Sequence, residues 1–227
     1  LQRGGLRVIQ RADAFRFGTD AVLLADFAAP RRHDRVCDLG TGTGIIPLLL
    51  YARENTISAD AVEIQPDMAD MAARSMAMNG LNEKIRVLPG DLRSIRTLLP
   101  HARYDLVTCN PPYGKAGGTL LNPDASKRLA RHEESCAIED VACAAAWLLQ
   151  NGGRLCCVFP AARMIELSDA MRKYRMAPKR IRMVHSRVEK AAHLCLMEGM
   201  LDARPGLIIE PPLVIYDENN AYTPELR

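Results

Sequence analysis

The chain has 227 residues, 48% of them apolar and 25% charged, with a net charge of +3. That length and balance support a sizeable buried core and exclude both a disordered chain and a disulfide-dependent miniprotein. The longest apolar runs, residues 45–50 and 141–149, are too short to cross a bilayer, and no signal-peptide pattern opens the sequence.

Residues 6–16 alternate loosely, with Leu6, Val8 and Phe15 among polar neighbours, and predict a short hairpin. Phe17-Gly18-Thr19-Asp20 then introduces a helix over 21–28, with Thr19 as its N-cap and Asp20 in its first turn. The start at Leu1, without a methionine, implies further residues upstream.

Residues 35–44, Arg-Val-Cys-Asp-Leu-Gly-Thr-Gly-Thr-Gly, are the most informative stretch. A short apolar strand runs into a loop with glycine at every second position, then into an apolar helix with Pro47 in its first turn. Glycine serves where a backbone turns tightly or lies against a ligand, and the helix start behind it favours a negatively charged group. A dinucleotide loop reads G-x-G-x-x-G, whereas Gly40, Gly42 and Gly44 read G-x-G-x-G with Asp38 ahead of them. This form resembles the first motif of class I S-adenosylmethionine methyltransferases. A tight turn with no ligand is the alternative.

The pattern continues as strand, helix, strand, helix. A strand over 58–64 contains Glu63, and a helix over Pro66–Met78 starts with proline and stops at Asn79-Gly80. Met68, Met71, Ser75 and Met78 mark its packing stripe. A strand over 85–88 leads to Gly90-Asp91-Leu92, and Tyr104–Cys109 leads to Asn110-Pro111-Pro112-Tyr113. A helix over 138–150 that stops at Asn151-Gly152-Gly153, a strand over 154–159 and a helix over 162–174 follow. Strands over 180–186 and 193–201 lack a full helix between them, which suggests an antiparallel pair; 208–216, with Pro211-Pro212, reads as an edge segment. The fold class is α/β: a Rossmann-like, seven-stranded, mostly parallel sheet with an antiparallel closing strand and helices on both faces. The whole of 1–227 reads as one domain, with 1–34 a hairpin and helix ahead of a catalytic core over 35–227.

In such a sheet Asp38, Glu63, Asp91 and Asn110 all fall at one rim, where ligands bind. The methyltransferase resemblance implies that Glu63 meets the cofactor ribose and Asp91 with Leu92 its adenine, with Ile64 also in the cofactor set. A carboxylate suits the ribose because it accepts two hydrogen bonds at once. Thr19, Asp20, Thr41 and Asn110 complete the implied cofactor set.

Asn-Pro-Pro-Tyr after a fourth strand is a signature of methyltransferases acting on planar amides and exocyclic amines. Such a nitrogen is a poor nucleophile because its lone pair is delocalised. Accepting both of its N–H bonds draws it toward tetrahedral geometry and localises the pair. The resemblance assigns this to the Asn110 side-chain oxygen and the Pro111 carbonyl. Pro112 stiffens the turn, and Tyr113 offers a stacking face worth about 1–3 kcal/mol per base. The glycine-rich, basic segment that follows supplies Lys115, Arg128 and Arg131 as candidate phosphate contacts, with an ordinary surface loop as the alternative.

With these motifs, the blocks 17–24, 130–133 and 211–216 make the chain resemble bacterial tRNA1(Val) adenine-37 N6-methyltransferases nearly end to end. The resemblance implies S-adenosyl-L-methionine as cofactor, an RNA partner, most naturally tRNA, and a cytoplasmic location. Protein glutamine N5-methyltransferases share Asn-Pro-Pro-Tyr but carry a helical substrate domain ahead of the glycine loop, where this chain has 37 residues before Asp38. A binding module without turnover is the third reading.

Seven cysteines stand at 37, 109, 136, 143, 156, 157 and 195, an odd count with no C-x-x-C pair. They read as reduced, buried thiols, and no metal site is expected. Residues 172–190 hold eight Lys/Arg and one acid, while six acids follow from Glu198 onward. This asymmetry fits a polyanion-facing side or a solvated face.

Overall fold

The computed structural model describes residues 4–10, 18–111 and 137–226. Strands β1 (Arg35–Leu39), β2 (Ser58–Glu63), β3 (Ile85–Pro89), β4 (Tyr104–Cys109) and β5 (Leu149–Pro160) are joined by parallel pairings. Strand β7 (Ala192–Leu201) runs antiparallel to both β5 and β6 (Met176–His185), and the sheet order is β3-β2-β1-β4-β5-β7-β6. Two-residue strands β8 (Ile208–Ile209) and β9 (Leu213–Val214) pair with β6, giving nine strands among the described residues rather than the expected seven. The proline pair lies between β8 and β9, so the tail is an edge segment as its composition implied.

Helices α1 (Thr19–Ala28), α2 (Ile45–Arg53) and α3 (Pro66–Met78) precede β1, β2 and β3. A 3-10 turn (Leu92–Ser94) and the short α4 (Ile95–Leu98) precede β4, α5 (Ile138–Leu148) precedes β5, and α6 (Met164–Lys173) precedes β6. Successive strand residues feed opposite layers. Val36, Leu106, Cys156 and Val158 pack with α1 and α2, whereas Cys37, Val107, Leu155 and Cys157 pack with α5 and α6. A sheet covered on both faces explains why its strands are near-continuous apolar runs.

Several local readings shift. Residues 6–10 form no strand: Arg7 N donates to Asn79 Oδ1 and Ile9 N to Ser75 Oγ, so the segment is tied to α3. The remainder of the expected hairpin lies outside the described residues. Helix α1 begins at Thr19 with Gly18 at its N-cap, so Thr19 is inside the helix and caps nothing. The α3 stripe is Ala69, Met71, Ala72, Ser75 and Met76, while Met78 is exposed. Gly152 and Gly153 lie within β5 instead of ending a helix; a Cβ on Gly153 would come within 3.0 Å of the Tyr104 carbonyl. Cys37, Cys109, Cys156, Cys157 and Cys195 are buried, as the sequence implied, while Cys143 is half-buried and Cys136 lies outside the described residues.

Half of the cations in the basic stretch pair with acids from elsewhere in the chain. Lys173 pairs with Glu139 (2.5 Å), Arg175 with Asp202 (2.6 Å) and Arg182 with Glu225 (2.6 Å). Arg180 pairs with Glu198 (3.3 Å) and Glu210 (3.1 Å). Four of the eight cations of 172–190 thus face acids of the chain itself, and β6 receives the acidic tail as its own neighbour. Arg154 and Arg180 also reach α1, donating to the Ala28 and Phe27 carbonyls. They hold its C-terminal end near Asp34, just before β1 begins, which directs Thr19 and Asp20 toward the carboxyl ends of the strands.

Candidate active site

Because β1 to β4 are mutually parallel, the residues that end them share one rim. Gly40 N and Thr41 N both donate to the Val62 carbonyl, at 2.9 and 3.0 Å, folding the loop over the end of β2. Glu63, buried, accepts from Gly42 N (2.8 Å) on one oxygen and from Gln65 N (2.9 Å) on the other. Its carboxylate thus straps the glycine loop to the start of α3.

The three glycines have φ of +69°, +57° and +80°, a region costly for other residues. A Cβ on Gly40 or Gly42 would meet nothing within 4 Å, so these two leave open space above the loop. A Cβ on Gly44 would lie 2.5 Å from Met76 Cε and 3.3 Å from Ala72 Cβ. That glycine lets α2 start against α3.

Asp38 is fully buried and accepts from Thr108 Oγ1 at 2.6 Å through Oδ1. Burial pushes its carboxyl up to about 7; the Thr108 and Thr41 hydroxyls oppose the rise and the Glu63 charge adds to it. The Thr41 hydroxyl acts by proximity, since neither it nor Asp38 Oδ2 makes a hydrogen bond of normal geometry. Two buried polar atoms left without partners beside an open glycine cradle are what a polar ligand would satisfy. The residues present therefore fit a nucleoside cofactor carrying hydroxyl and amino donors.

Gly90 N donates to the Glu63 carbonyl (2.9 Å), bringing the β3 loop beside β2. Asp91 caps the 3-10 turn through Arg93 N (2.9 Å). The Arg93 guanidinium grips Asp91, with Nη2 at 2.5 Å from Oδ2, and holds the carboxyl below the usual range. Arg93 is thus part of this corner, which sequence reading did not include. Ile64 is 44% exposed on the rim and Leu92 is half-buried, so both offer apolar surface there.

Asn110 directly follows β4. Leu39 pairs with Cys109, so the next residues, Gly40 and Asn110, leave adjacent strands side by side. Pro111 is buried. Pro112, Tyr113, Lys115, Arg128 and Arg131 lie outside the described residues. Thr19 and Asp20, both half-buried, start α1. Thr108 was missed; its position two residues before Asn110 on a strand was the available signal, since period two sets both on one face.

Among the described residues no group of His, Cys, Asp or Glu is arranged to hold a metal, and no helix is long and apolar enough to cross a membrane. A doubly wound sheet with this glycine loop, rim acids and Asn-Pro at the end of β4 defines a methyltransferase of the α/β class. Residues 12–180 match the model of the methyltransferase small domain. A Porphyromonas gingivalis tRNA1(Val) (adenine(37)-N6)-methyltransferase is 32% identical over 95% of this chain and 87% of its own. Its namesake in Tolumonas auensis is 34% identical over 93% of this chain and 86% of its own. A solved Agrobacterium tumefaciens protein, described as a predicted O-methyltransferase, superposes with a TM-score of 0.75 at 25% identity, covering 91% and 93% of the two chains. The chain belongs to the methyltransferase small domain family and, within it, to the family of tRNA1(Val) (adenine(37)-N6)-methyltransferases.

Proposed function

We propose that the protein methylates N6 of an adenine in tRNA, of the tRNA1(Val) adenine-37 kind, using S-adenosyl-L-methionine in the cytoplasm, and that residues 1–227 act as one catalytic domain. The observation that carries this reading is the register that sets Asn110-Pro111 beside the Gly40 loop.

When bound, S-adenosyl-L-methionine supplies a methyl group on a sulfonium, open to in-line attack. Glu63 accepts from the ribose hydroxyls with lone pairs left over from its two backbone amides. Asp38, Gly40, Thr41, Gly42 and Gly44 form the cradle, Asp91 with Leu92 and Ile64 borders the adenine, and Thr19 and Asp20 close the site from α1. Asn110 Oδ1 and the Pro111 carbonyl accept the two N–H bonds of the target amine, which localises its lone pair toward the methyl carbon. The rate then follows from placement and desolvation, with no strong base required. Tyr113 stacks on the extruded base, Pro112 stiffens the turn, and Lys115, Arg128 and Arg131 contact phosphates.

The test incubates labelled S-adenosyl-L-methionine with unmodified tRNA and analyses the nucleosides. N6-methyladenosine is the expected product; label on a release-factor glutamine, or none in any tRNA, overturns the reading. Asn110→Ala should lower kcat at least about 100-fold, the scale of a lost transition-state acceptor, with a much smaller loss of cofactor affinity, since Asn110 is one contact among the many of the cofactor set.

A further inference from the structure

The opposite rim of the sheet, where β1 to β4 begin, holds a second constellation. A cavity of about 360 Å³ opens there, lined by four cations, Arg35, Lys84, Arg86 and Arg103, against two carboxylates, Asp60 and Glu83. The parallel registers assemble it. Arg35 is the first residue of β1, Lys84 and Arg103 immediately precede β3 and β4, and Asp60 pairs with Arg86 across β2 and β3.

All four cations are exposed, and Arg86 alone among them is held by a side-chain bond to a carboxylate of the cavity wall. Arg86 Nε donates to Asp60 Oδ1 at 2.7 Å, and the other Asp60 oxygen accepts from the buried Tyr104 hydroxyl at 2.5 Å. With Nε committed to Asp60, the two terminal nitrogens of the guanidinium remain for a further acceptor. A planar fork oriented by a carboxylate and surrounded by additional cations is suited to a tetrahedral oxyanion. Burial and Asp60 push the Tyr104 phenol well up, so it stays a donor throughout the working range. None of these residues serves the glycine-loop rim, roughly 15 Å away along a five-residue strand.

We propose that this cavity is a phosphoryl-binding site, taking the phosphate of a phosphorylated small molecule or of an RNA backbone. The site is independent of the methyl-transfer reading, because it requires neither the cofactor nor the target base.

Two probes test it on the intact protein: inorganic pyrophosphate, and oligouridylate, which carries phosphodiesters but no adenine. Binding is followed by calorimetry in the parent, in Arg35→Glu/Arg103→Glu and in Lys84→Glu, with S-adenosyl-L-methionine affinity as the folding control. The expected result is saturable pyrophosphate binding, weakened about tenfold or more in either variant, with cofactor affinity unchanged. If oligouridylate weakens in parallel, and its salt dependence becomes shallower by about one phosphate per cation lost, the source is RNA backbone. If only pyrophosphate weakens, the source is a small phosphorylated ligand. Absence of saturable pyrophosphate binding, or equal affinity in parent and variants that retain cofactor binding, overturns the proposal.

Discussion

Thr108 donates its hydroxyl hydrogen to Asp38 across directly paired positions of β4 and β1, at 2.6 Å. The bond links the strand that feeds the glycine loop to the strand that ends in Asn110. Both sides of the candidate site are therefore set by one buried contact, made just before the two chains leave the sheet.

Asp38 gives the protein a distinctive pH dependence. Its carboxyl is raised from 3.8 to about 7, so between those values the native state holds a proton that the unfolded state has released. Stability should fall as pH rises through that window, by on the order of 4 kcal/mol in total from this group. Asp38→Asn keeps an acceptor for Thr108 and removes the titration. Chemical denaturation of the two proteins from pH 4 to pH 8 should show the gap between them shrinking or reversing toward the upper end. Parallel curves would refute the assignment.

Gly40 and Gly44 should separate cofactor binding from folding. Alanine at Gly44 meets Met76 and Ala72 and adopts an unfavourable φ, which should destabilise the protein by about 1–3 kcal/mol. Alanine at Gly40 faces open space, so only the backbone term applies, about 1 kcal/mol. Its larger effect should be on S-adenosyl-L-methionine affinity, since the new methyl occupies the cradle. Melting curves and cofactor titrations of the two variants should rank oppositely.

Glu63→Gln tests the strap between the glycine loop and α3. Both carboxylate oxygens accept backbone amides, and a glutamine offers an oxygen to only one. The amide left facing an NH2 group should cost about 1–3 kcal/mol of stability. Cofactor affinity should also drop, by about tenfold, through the lost ribose acceptor. Unaltered binding would remove Glu63 from the cofactor site.

Glu198 is buried between Arg154 (3.1 Å) and Arg180 (3.3 Å). Glu198→Ala leaves Arg154 with Asp34 at 3.5 Å as its remaining carboxylate and should cost about 3–5 kcal/mol, the scale for breaking a buried pair. Replacing Arg154 by Met in the same background should recover part of that loss. A cost below about 1 kcal/mol, the range of surface pairs, would show that solvent reaches the cluster.

The two short strands β8 and β9 were not legible in the sequence, and the strand expected from residue 6 does not form, whereas from β1 to β7 the order of strands and helices was legible, as were the glycine loop and the acids and Asn110 at the strand ends. Each is a local signal: period-two or period-3.6 burial, glycine where φ must be positive, and an acid or amide at a strand end. The cap of α1 was misread because Gly18 and Thr19 are both acceptable cap residues, and only the chain's path selects between them. Strand adjacency belonged to the tertiary structure. The order β3-β2-β1-β4-β5-β7-β6 makes Thr108 the partner of Asp38, seats the acidic tail against the basic stretch, and gathers Arg35, Lys84, Arg86 and Arg103 at the far rim. These relationships join residues far apart in the chain, and short-range periodicity holds no information about which strand will lie beside which.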